Sequence, residues 1–303
     1  MLNKPSVIKI DSHTIELTHN DKLLFPADAL NPEGISKGEL IDYYRRIAEI
    51  MLPYLKERPL AMERYPEGVG GEHFIQKDVP DYFPQWIERT EIPKKTGGEI
   101  TQLLCNHTAT LVYLANQDCI TPHTWLSRKD SLDYPDKLVF DLDPPGEFAP
   151  VRRGAKLIRD LLTELRLTAY LMSTGSRGVH IVVPLDRSSG FDEVRAFAHH
   201  LAGIIAGQHP DLFTVEPHKY KRRGKIFIDV MRNGYGQTSV APYAVRGRPG
   251  APVAIPWEWS ELADEKLSPR SHNIHNIRQR LKHKGDLWGD FYQHKQSIKN
   301  VHM

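Results

Sequence analysis

The sequence of 303 residues is long enough for one large domain or two small ones. Its composition, 40% hydrophobic and 26% charged, is ordinary for a globular protein with a sizeable core. No apolar run approaches the roughly 18 residues of a membrane span, and the N-terminus lacks a signal pattern, so we expect a soluble cytoplasmic protein. The net charge of +2 leaves any nucleic-acid binding to a local basic patch. Cys105 and Cys119 indicate ordinary buried thiols, and neither a zinc site nor a disulfide framework.

The N-terminal region predicts a hairpin followed by a long helix. Residues 7–17 alternate apolar and polar side chains, which is typical of a β-hairpin. Ser36 and Glu39 form a capping-box pattern, and apolar residues at helical spacing follow until Pro53, which we expect to close the helix. Lys22 and Lys37 flank the helix entry. They are either two solvated lysines or a phosphate contact beside a helix N-terminus, and their spacing alone does not decide.

The pattern between residues 60 and 114 predicts short strands separated by turns. Phe74 lies in a segment of this region that is too polar for deep core. It is either a plain strand aromatic or an exposed platform on which a base stacks.

The most informative stretch is LVFDLDPP, residues 138–145, in which an apolar strand ends in two carboxylates and a proline pair. Successive strand residues alternate in direction, so Asp141 and Asp143 share one face at roughly 6.6 Å along the backbone. Two carboxylates this close repel each other, and a divalent cation such as Mg²⁺ or Mn²⁺ removes the repulsion. The alternative is simple turn chemistry at a strand end.

Two predicted helices, 151–166 and 191–208, surround two strands, 168–172 and 179–184. The loop between these strands, STGSRG, holds small residues and one arginine, with His180 just inside the second strand. Such a loop offers free backbone amides and close approach to a triphosphate, with the arginine and the histidine as fixed donors. The alternative is a glycine hairpin followed by a strand histidine with satisfied hydrogen bonds.

A basic run, residues 218–225, leads directly into an apolar strand, residues 226–230, that carries Asp229. If this strand lies beside Asp141 and Asp143, three acids converge where the basic run can meet phosphates. Further on, the bend at 241–248 contains Arg246 and Arg248. Residues 271–284 predict a basic helix, and the tail to Met303 is polar and predicts loose packing.

Four motifs occur in this order: LVFDLDPP, STGSRGVHIVVPL, GKIFIDVMRNG and APYAVRGR. Together with LTHNDKLLFP and the helix ISKGELIDYYRRIAEIMLPYL, they resemble the polymerase domain of bacterial ligase D, in the archaeo-eukaryotic primase superfamily, up to about residue 265. The resemblance implies an α+β fold with mixed and antiparallel sheets flanked by helices, in two intimately packed halves. We therefore expect a single primase-polymerase domain over 1–303, with an N-terminal end-binding half (1–135), a catalytic half (136–265) and a helical tail (266–303).

The resemblance also implies a role for individual residues. It implies that Asp141, Asp143 and Asp229 bind two divalent ions, Mn²⁺ or Mg²⁺, and carry catalysis. The residues implied to line the nucleotide and metal region are His123, Ser176, His180, Arg222, Arg246 and Arg248. Lys22 and Lys37 match positions that hold a DNA 5′-phosphate, and Phe74 matches a position that packs on template bases.

The implied activity is addition of nucleotides, ribonucleotides preferentially, to a 3′-hydroxyl at gaps or broken DNA ends in non-homologous end joining. The implied partners are DNA with a 5′-phosphate, nucleoside triphosphates, a separate DNA ligase and the Ku end-binding protein, in a nucleoid-associated setting. Two positions depart from the family pattern. Ile75 replaces a second aromatic residue after Phe74, and Glu63 beside Arg64 replaces a lysine of the nucleotide pocket.

Two other interpretations remain open from the sequence. LVFDLDPP also resembles the first motif of haloacid-dehalogenase-type phosphatases, although Pro144 and Pro145 replace their usual Gly-Thr and the motif lies mid-chain. A non-catalytic DNA-end-binding scaffold that uses the basic run requires that the acids bind no metal.

Overall fold

A computed structural model describes residues 6–29, 31–299 and 301. Its strands are β1 (Ser6–Ile10), β2 (His13–Leu17), β3 (Leu23–Phe25), β4 (Ile35–Ser36), β5 (Pro59–Arg64), β6 (Phe74–Gln76), β7 (Arg89–Pro93), β8 (Glu99–Leu104), β9 (Cys119–Trp125), β10 (Lys137–Asp143), β11 (Tyr170–Ser173), β12 (Val179–Pro184), β13 (Phe213–Thr214), β14 (Ile226–Asp229), β15 (Thr238–Val240) and β16 (Pro256–Trp257). Its α-helices are α1 (Lys37–Leu55), α2 (Thr108–Asn116), α3 (Ala149–Glu164), α4 (Phe191–Gln208) and α5 (Ile277–Lys284).

The chain forms two compact units, each built from separate stretches of sequence. Unit 1 comprises the described residues of Met1–Thr124, Val240–Val253 and Asn273–Ile277. Unit 2 comprises those of Trp125–Ser239, Ala254–His272 and Arg278–Met303.

Unit 2 is built on a six-stranded sheet with the order β13-β14-β10-β12-β11-β16. All neighbouring pairs are antiparallel except β13 and β14, which are parallel. The central strand β10 is apolar from Leu138 to Phe140, and these side chains are buried. Burial on both faces explains why the strand reads as a continuous apolar run until its acidic end.

Helices α3 and α4 pack on this sheet. The buried residues of α3 include Val151, Ala155, Ile158 and Leu162, a spacing that forms one apolar stripe. Gly154 lies on the same stripe, and a Cβ there would come within 2.9 Å of the Phe213 ring. The glycine therefore permits the close approach of α3 to β13.

Unit 1 contains a sheet in which β9, β5, β8 and β7 are adjacent in that order, with β6 also paired to β5. Helix α1 packs against α2. The predicted capping box is confirmed, because Ser36 Oγ accepts from the Glu39 amide at 3.2 Å and the Glu39 carboxylate accepts from the Ser36 amide at 2.8 Å. The predicted hairpin at 7–17 is also confirmed as β1 and β2.

Four local predictions are wrong. Residues 108–116 form helix α2 within the region predicted as strands and turns, and Pro53 lies inside α1, which continues to Leu55. The basic helix is shorter than predicted, since α5 begins at Ile277. The C-terminal tail is not loosely packed, because Trp288 and Phe291 are buried around Tyr170. The last positions of that tail, 300, 302 and 303, lie outside the described residues.

Both cysteines are buried and free, as predicted. No helix in the described part of the chain is both long and apolar enough to cross a membrane.

Candidate active site

Strands β10 and β14 place three carboxylates on one face of the unit 2 sheet. Asp141 lies directly opposite Asp229 in the antiparallel pairing, and Asp143 is two residues further along β10. Directly opposite residues have Cβ atoms about 4.5 to 5.5 Å apart, and residues i and i+2 face the same side. The predicted proximity of the three acids is thus a consequence of register.

Basic side chains surround Asp141. His180 Nε2 lies 3.5 Å and Arg232 Nε 3.3 Å from its carboxylate. Burial alone would raise the pKa of Asp141, but His180 and Arg232 outweigh it and hold this pKa at about 2. The carboxylate is therefore ionised near neutral pH.

Asp229 has the opposite shift. Its pKa is raised, first because it is buried and further because the charge of Asp141 opposes its ionisation, while a 2.8 Å hydrogen bond from the Met231 amide acts in the other direction. This repulsion between facing carboxylates is the feature that a bound cation would remove.

Asp143 is held by two arginines. Arg177 and Arg222 donate to its two oxygens at 2.9 and 3.1 Å. Arg222 is itself fixed, since it also donates to the Glu216 carbonyl at 3.2 Å and lies 3.9 Å from the centre of the Phe227 ring. The basic run therefore reaches the acidic edge through one residue.

The donor chemistry of the three acids fits a divalent metal ion, although their present arrangement does not form a closed cage. Within residues 6–29, 31–299 and 301, no group of three or more His, Cys, Asp or Glu side chains is positioned to share an ion. The pair with unrelieved repulsion is Asp141 and Asp229, and their oxygen ligands suit hard cations. Asp141 and Asp229 would hold the ion, with Asp143 as the third donor beside its arginines.

The small-residue loop between β11 and β12 lies against the same strand. A Cβ on Gly178 would collide with the carbonyl oxygen of Leu142, the residue between Asp141 and Asp143, so only glycine fits. Thr174 closes the turn, with its amide and hydroxyl donating to the Gly178 carbonyl at 3.1 and 3.0 Å. The turn thus presents Ser176 and Arg177 next to the acids.

His180 belongs to the same assembly. It lies opposite Asp141 in the pairing of β10 with β12, and it is 3% exposed. Its partner is a candidate catalytic carboxylate. The two alternatives for His180, a strand histidine with a satisfied polar partner and a site residue, therefore do not exclude each other.

A second polar cluster lies in unit 1, around Glu63. His123 Nε2 is 3.1 Å from the Glu63 carboxylate, which also accepts from the Tyr65 hydroxyl at 2.7 Å. Burial alone would raise the pKa of Glu63, but His123, Tyr65 and Arg246 together hold it at about 2. Gly247 allows the arginine bend to reach this cluster, because a Cβ there would collide with the Tyr65 ring.

The two lysines at the start of α1 share one carboxylate. Lys22 Nζ lies 3.0 Å and Lys37 Nζ 3.7 Å from Asp118. Lys37 is 2% exposed and donates to the Asn116 carbonyl at 2.7 Å and to Thr18 Oγ1 at 3.3 Å. Burial is the main reason that its pKa is lowered. Lys37 therefore anchors the helix entry, and Lys22 is the more accessible ammonium group.

The structure divides the candidate residues between the units. Unit 2 gathers Asp141, Asp143, Asp229, Ser176, His180 and Arg222 at one sheet edge. Unit 1 holds Lys22, Lys37, Phe74, His123, Arg246 and Arg248. Phe74 is 46% exposed, so it is not a core aromatic.

Arg232 lies within the motif GKIFIDVMRNG, but the sequence analysis gives it no role in the site. It lies in the 3-10 turn Met231–Asn233, immediately after β14, and also donates to the Thr238 carbonyl at 3.3 Å. The available signal was its position three residues after Asp229. A short turn directly after a strand can bring one of its side chains back beside the last residues of that strand.

Comparison with known proteins decides the family. Residues 36–288 match the family model described as LigD, primase-polymerase domain. The chain belongs to the LigD primase-polymerase family. Membership makes it a nucleotidyltransferase of the primase-polymerase type, and it implies use of a divalent metal in general. The phosphatase and non-catalytic interpretations of the sequence are therefore wrong.

Relatives within the family include longer proteins. The chain is 34% identical to the multifunctional non-homologous end joining protein LigD of Mycolicibacterium smegmatis over 90% of this chain and 35% of that protein. It is 34% identical to the protein of the same name from Pseudomonas aeruginosa, over 94% and 34%, and 29% identical to the bifunctional LigD of Bacillus subtilis, over 93% and 45%. The chain thus spans about a third to a half of the length of these relatives.

A solved structure shows the same fold as this member of the LigD primase-polymerase family. The polymerase domain from Mycobacterium tuberculosis ligase D, in complex with DNA, superposes with a TM-score of 0.84 at 30% identity. The match covers 93% of this chain and 99% of that one. The predicted α+β class with mixed and antiparallel sheets is confirmed.

The Glu63 cluster predicts sensitivity to acid. The pKa of Glu63 is about 2 in the folded protein and 4.5 in the unfolded chain. The ionised carboxylate therefore stabilises the fold fully above pH 4.5, and this stabilisation is lost as the pH falls toward 2. We expect wild type to lose roughly 1 to 2 kcal/mol more unfolding free energy than Glu63→Gln between pH 5 and pH 3. Denaturant titrations at both pH values measure this difference. The exposed Glu91→Gln serves as the matched control, and an equal loss in Glu63→Gln and wild type contradicts the expectation.

Proposed function

We propose that this chain adds nucleotides to a 3′-hydroxyl at gaps or broken ends of DNA, in non-homologous end joining. The observation that carries the proposal is the pairing of Asp141 with Asp229 on the face that also bears Asp143, with the Gly178 turn packed against the same strand. The proposal is supported by the names of the LigD relatives and by the related polymerase domain solved in complex with DNA.

The proposed chemistry is two-metal phosphoryl transfer with Mn²⁺ or Mg²⁺. When bound, the two ions would lower the pKa of the 3′-hydroxyl and neutralise charge on the α-phosphate and the leaving pyrophosphate. Asp141, Asp143 and Asp229 would hold them, and His180 and Arg232 keep Asp141 ionised and oriented. No covalent enzyme intermediate is needed, because positioning and charge stabilisation are sufficient.

The chain's own cations prepare the same edge for phosphates. Arg177 and Arg222 each donate one hydrogen bond to the Asp143 carboxylate, and guanidinium groups also bind phosphate oxygens. Ser176 lies beside Arg177 in the turn and is partly exposed. We assign these three residues to the triphosphate. His180 is assigned to the nucleotide phosphates as well. Within unit 1, we assign His123, Arg246 and Arg248 to the nucleotide on the family resemblance, and Phe74 to the template base.

The proposed partners are DNA with a 5′-phosphate, nucleoside triphosphates, a DNA ligase and the Ku end-binding protein. End joining requires that a strand, once filled, is sealed by a ligase reaction, which is why a DNA ligase is among the proposed partners. We accordingly place the protein at the nucleoid, where broken ends occur.

The test of the proposal is extension of a primer across a short gap with Mn²⁺, on substrates with a 5′-phosphate or a 5′-hydroxyl downstream. We expect extension on both and a preference for the phosphate, because a terminal monoester has more negative charge than a backbone diester. A wild-type protein that adds no nucleotide to either substrate contradicts the polymerase function itself.

Lys22 is expected to carry most of the phosphate preference. Its ammonium group is more exposed than that of Lys37, at 27% against 3% of the side chain. We expect Lys22→Ala to reduce the preference about tenfold, as for the loss of one charged hydrogen bond of ~1.5 kcal/mol. Binding to phosphorylated and hydroxyl gaps, compared with Lys94→Ala, an exposed lysine of the same unit, measures the effect. The double variant with Lys37→Ala also loses buried contacts, so the single variant is the cleaner test. A preference that survives Lys22→Ala contradicts the assignment.

Ribonucleotides are expected to be incorporated in preference to deoxyribonucleotides. A hydrogen bond to the 2′-hydroxyl of ~1 kcal/mol corresponds to a roughly fivefold preference. Competition between ATP and dATP at equal concentration opposite a single template thymine measures this preference. Alkali cleaves the strand after an incorporated ribonucleotide once the strand is extended further, so alkaline hydrolysis distinguishes the two products. Equal incorporation contradicts a 2′-hydroxyl contact in the pocket.

A further inference from the structure

Unit 1 exposes two aromatic side chains that one arginine joins. Phe74 on β6 is 46% exposed and Tyr82, in the segment that follows, is 61% exposed. Ile75 is also 61% exposed, but it pairs with Glu63 and points to the other face of β6, so it is not part of this group. A group of large apolar side chains exposed together on a folded protein usually marks a binding surface.

Arg64 holds this group in place. Its Nε donates to the Gln117 carbonyl at 2.8 Å, and its Nη1 donates to Gln76 Oε1 at 2.7 Å and to the Tyr82 hydroxyl at 3.0 Å. The same guanidinium lies 5.6 Å from the centre of the Phe74 ring. Because Gln117 and β6 fix the arginine, the arginine in turn fixes both aromatic residues.

Tyr82 is restrained at a second point. Its ring meets Phe83 edge-on at 5.1 Å between centroids, and Phe83 is 1% exposed. An exposed tyrosine held at its hydroxyl and at its ring loses little further freedom when a ligand packs on its open surface. Such preorganisation favours binding because the ordering cost has already been met in the free protein.

We propose that Tyr82 is a base-stacking residue for single-stranded DNA, acting with Phe74 through their shared contact with Arg64. Aromatic rings accept any base by stacking, and a guanidinium adds attraction to the anionic strand. The inference rests on the proposed function, which brings DNA with unpaired template bases to the protein.

The test uses the full chain and a duplex with a 3′ single-stranded overhang that contains 2-aminopurine, whose fluorescence falls when it stacks on an aromatic ring. We expect Tyr82→Ala to weaken binding to the overhang about tenfold. We also expect the fall in 2-aminopurine fluorescence on binding to be smaller than in wild type. Tyr82→Trp should retain both. Tyr82→Phe keeps the ring but loses the Arg64 contact, and we expect about a twofold loss. Tyr134→Ala, an exposed tyrosine of unit 2, is the matched control.

The same measurements on blunt duplex DNA separate stacking from general charge attraction. Overhang binding that is unchanged in Tyr82→Ala, or weakened equally on blunt duplex, overturns the proposal, and the former result would leave the patch to a protein partner. If Tyr82→Ala does not fold, the comparison of Tyr82→Trp with Tyr82→Phe still decides, because loss of overhang binding in the tryptophan variant also overturns it. Nucleotide addition by wild type is measured separately, so a failure of the polymerase function is distinguished from a failure of the stacking role.

Discussion

Asp141→Asn is expected to reduce nucleotide addition by at least about 10³-fold while the protein remains folded. The substitution removes the charge that faces Asp229 and that His180 and Arg232 surround. A loss of ~4 kcal/mol of transition-state stabilisation corresponds to this factor, and a carboxylate that holds a catalytic ion contributes several kcal/mol. Single-turnover primer extension with saturating Mn²⁺ measures the change.

Asp143→Asn and Asp229→Asn are expected to give losses of similar size, because all three acids lie on one face of β10 and β14. Asp211→Asn, an exposed aspartate of the same unit, is the matched control. Calorimetric titration with Mn²⁺ gives a second readout, in which the site variants lose binding heat and the control does not. Activity that survives Asp229→Asn excludes the three-acid site.

Asn233→Ala is expected to lower the free energy of unfolding by about 3 kcal/mol. The Asn233 side chain is fully buried and acts as a substitute strand partner for Val139 on β10. It accepts from the Val139 amide at 2.8 Å and donates to the Val139 carbonyl at 2.8 Å and the Val230 carbonyl at 2.9 Å. Alanine leaves these buried backbone groups without this partner, and each unsatisfied group costs about 1 to 3 kcal/mol.

Urea denaturation of the folded protein measures this effect, with Gln208→Ala as the control because Gln208 is an exposed amide at the end of α4. Since Val139 lies two residues before Asp141, we also expect the variant to reduce nucleotide addition at temperatures where it is still folded. A stability equal to that of the control contradicts the role assigned to Asn233.

The acidic edge was predictable because its signal is local. Alternation along a strand places Asp141 and Asp143 on one face, and the apolar run before Asp229 identifies a second buried strand. The pairing of the two strands follows only from the chain topology. The residues alone did not show that the two strands are neighbours. The resemblance to a known family implied that their three acids act together.

The partners of these acids were harder to predict. Arg232 and Asn233 act across the sheet, and their role depends on where a short 3-10 turn directs each side chain. The sequence contains no periodicity for such contacts. Lys37 illustrates the reverse case. The sequence left it either a solvated lysine or a phosphate contact, and the first alternative is wrong, because tertiary packing buries the side chain and its ammonium group donates to the Asn116 carbonyl.

One secondary-structure prediction and one packing prediction were wrong for physical reasons. Helix α2 is short and buried around most of its surface, so it lacks the polar face that makes a helical period visible, and its threonines and valine favour strands. The tail after α5 is polar on average, but Trp288 and Phe291 stack at 5.0 Å and pack against Tyr170. A few large aromatic residues can fix a segment that its average composition predicts to be loose.

The contact between Gly178 and the Leu142 carbonyl also limits how the site can move. Because the turn touches the strand backbone directly, with no side chain between them to deform, the turn and the acidic end of β10 form one mechanical piece. A displacement of the Gly178 backbone would therefore disturb the strand end that carries Asp141 and Asp143. If the proposed function holds, the turn that would contact the nucleotide phosphates and the acids are aligned when the chain folds, and closure around the nucleotide would be made by other segments.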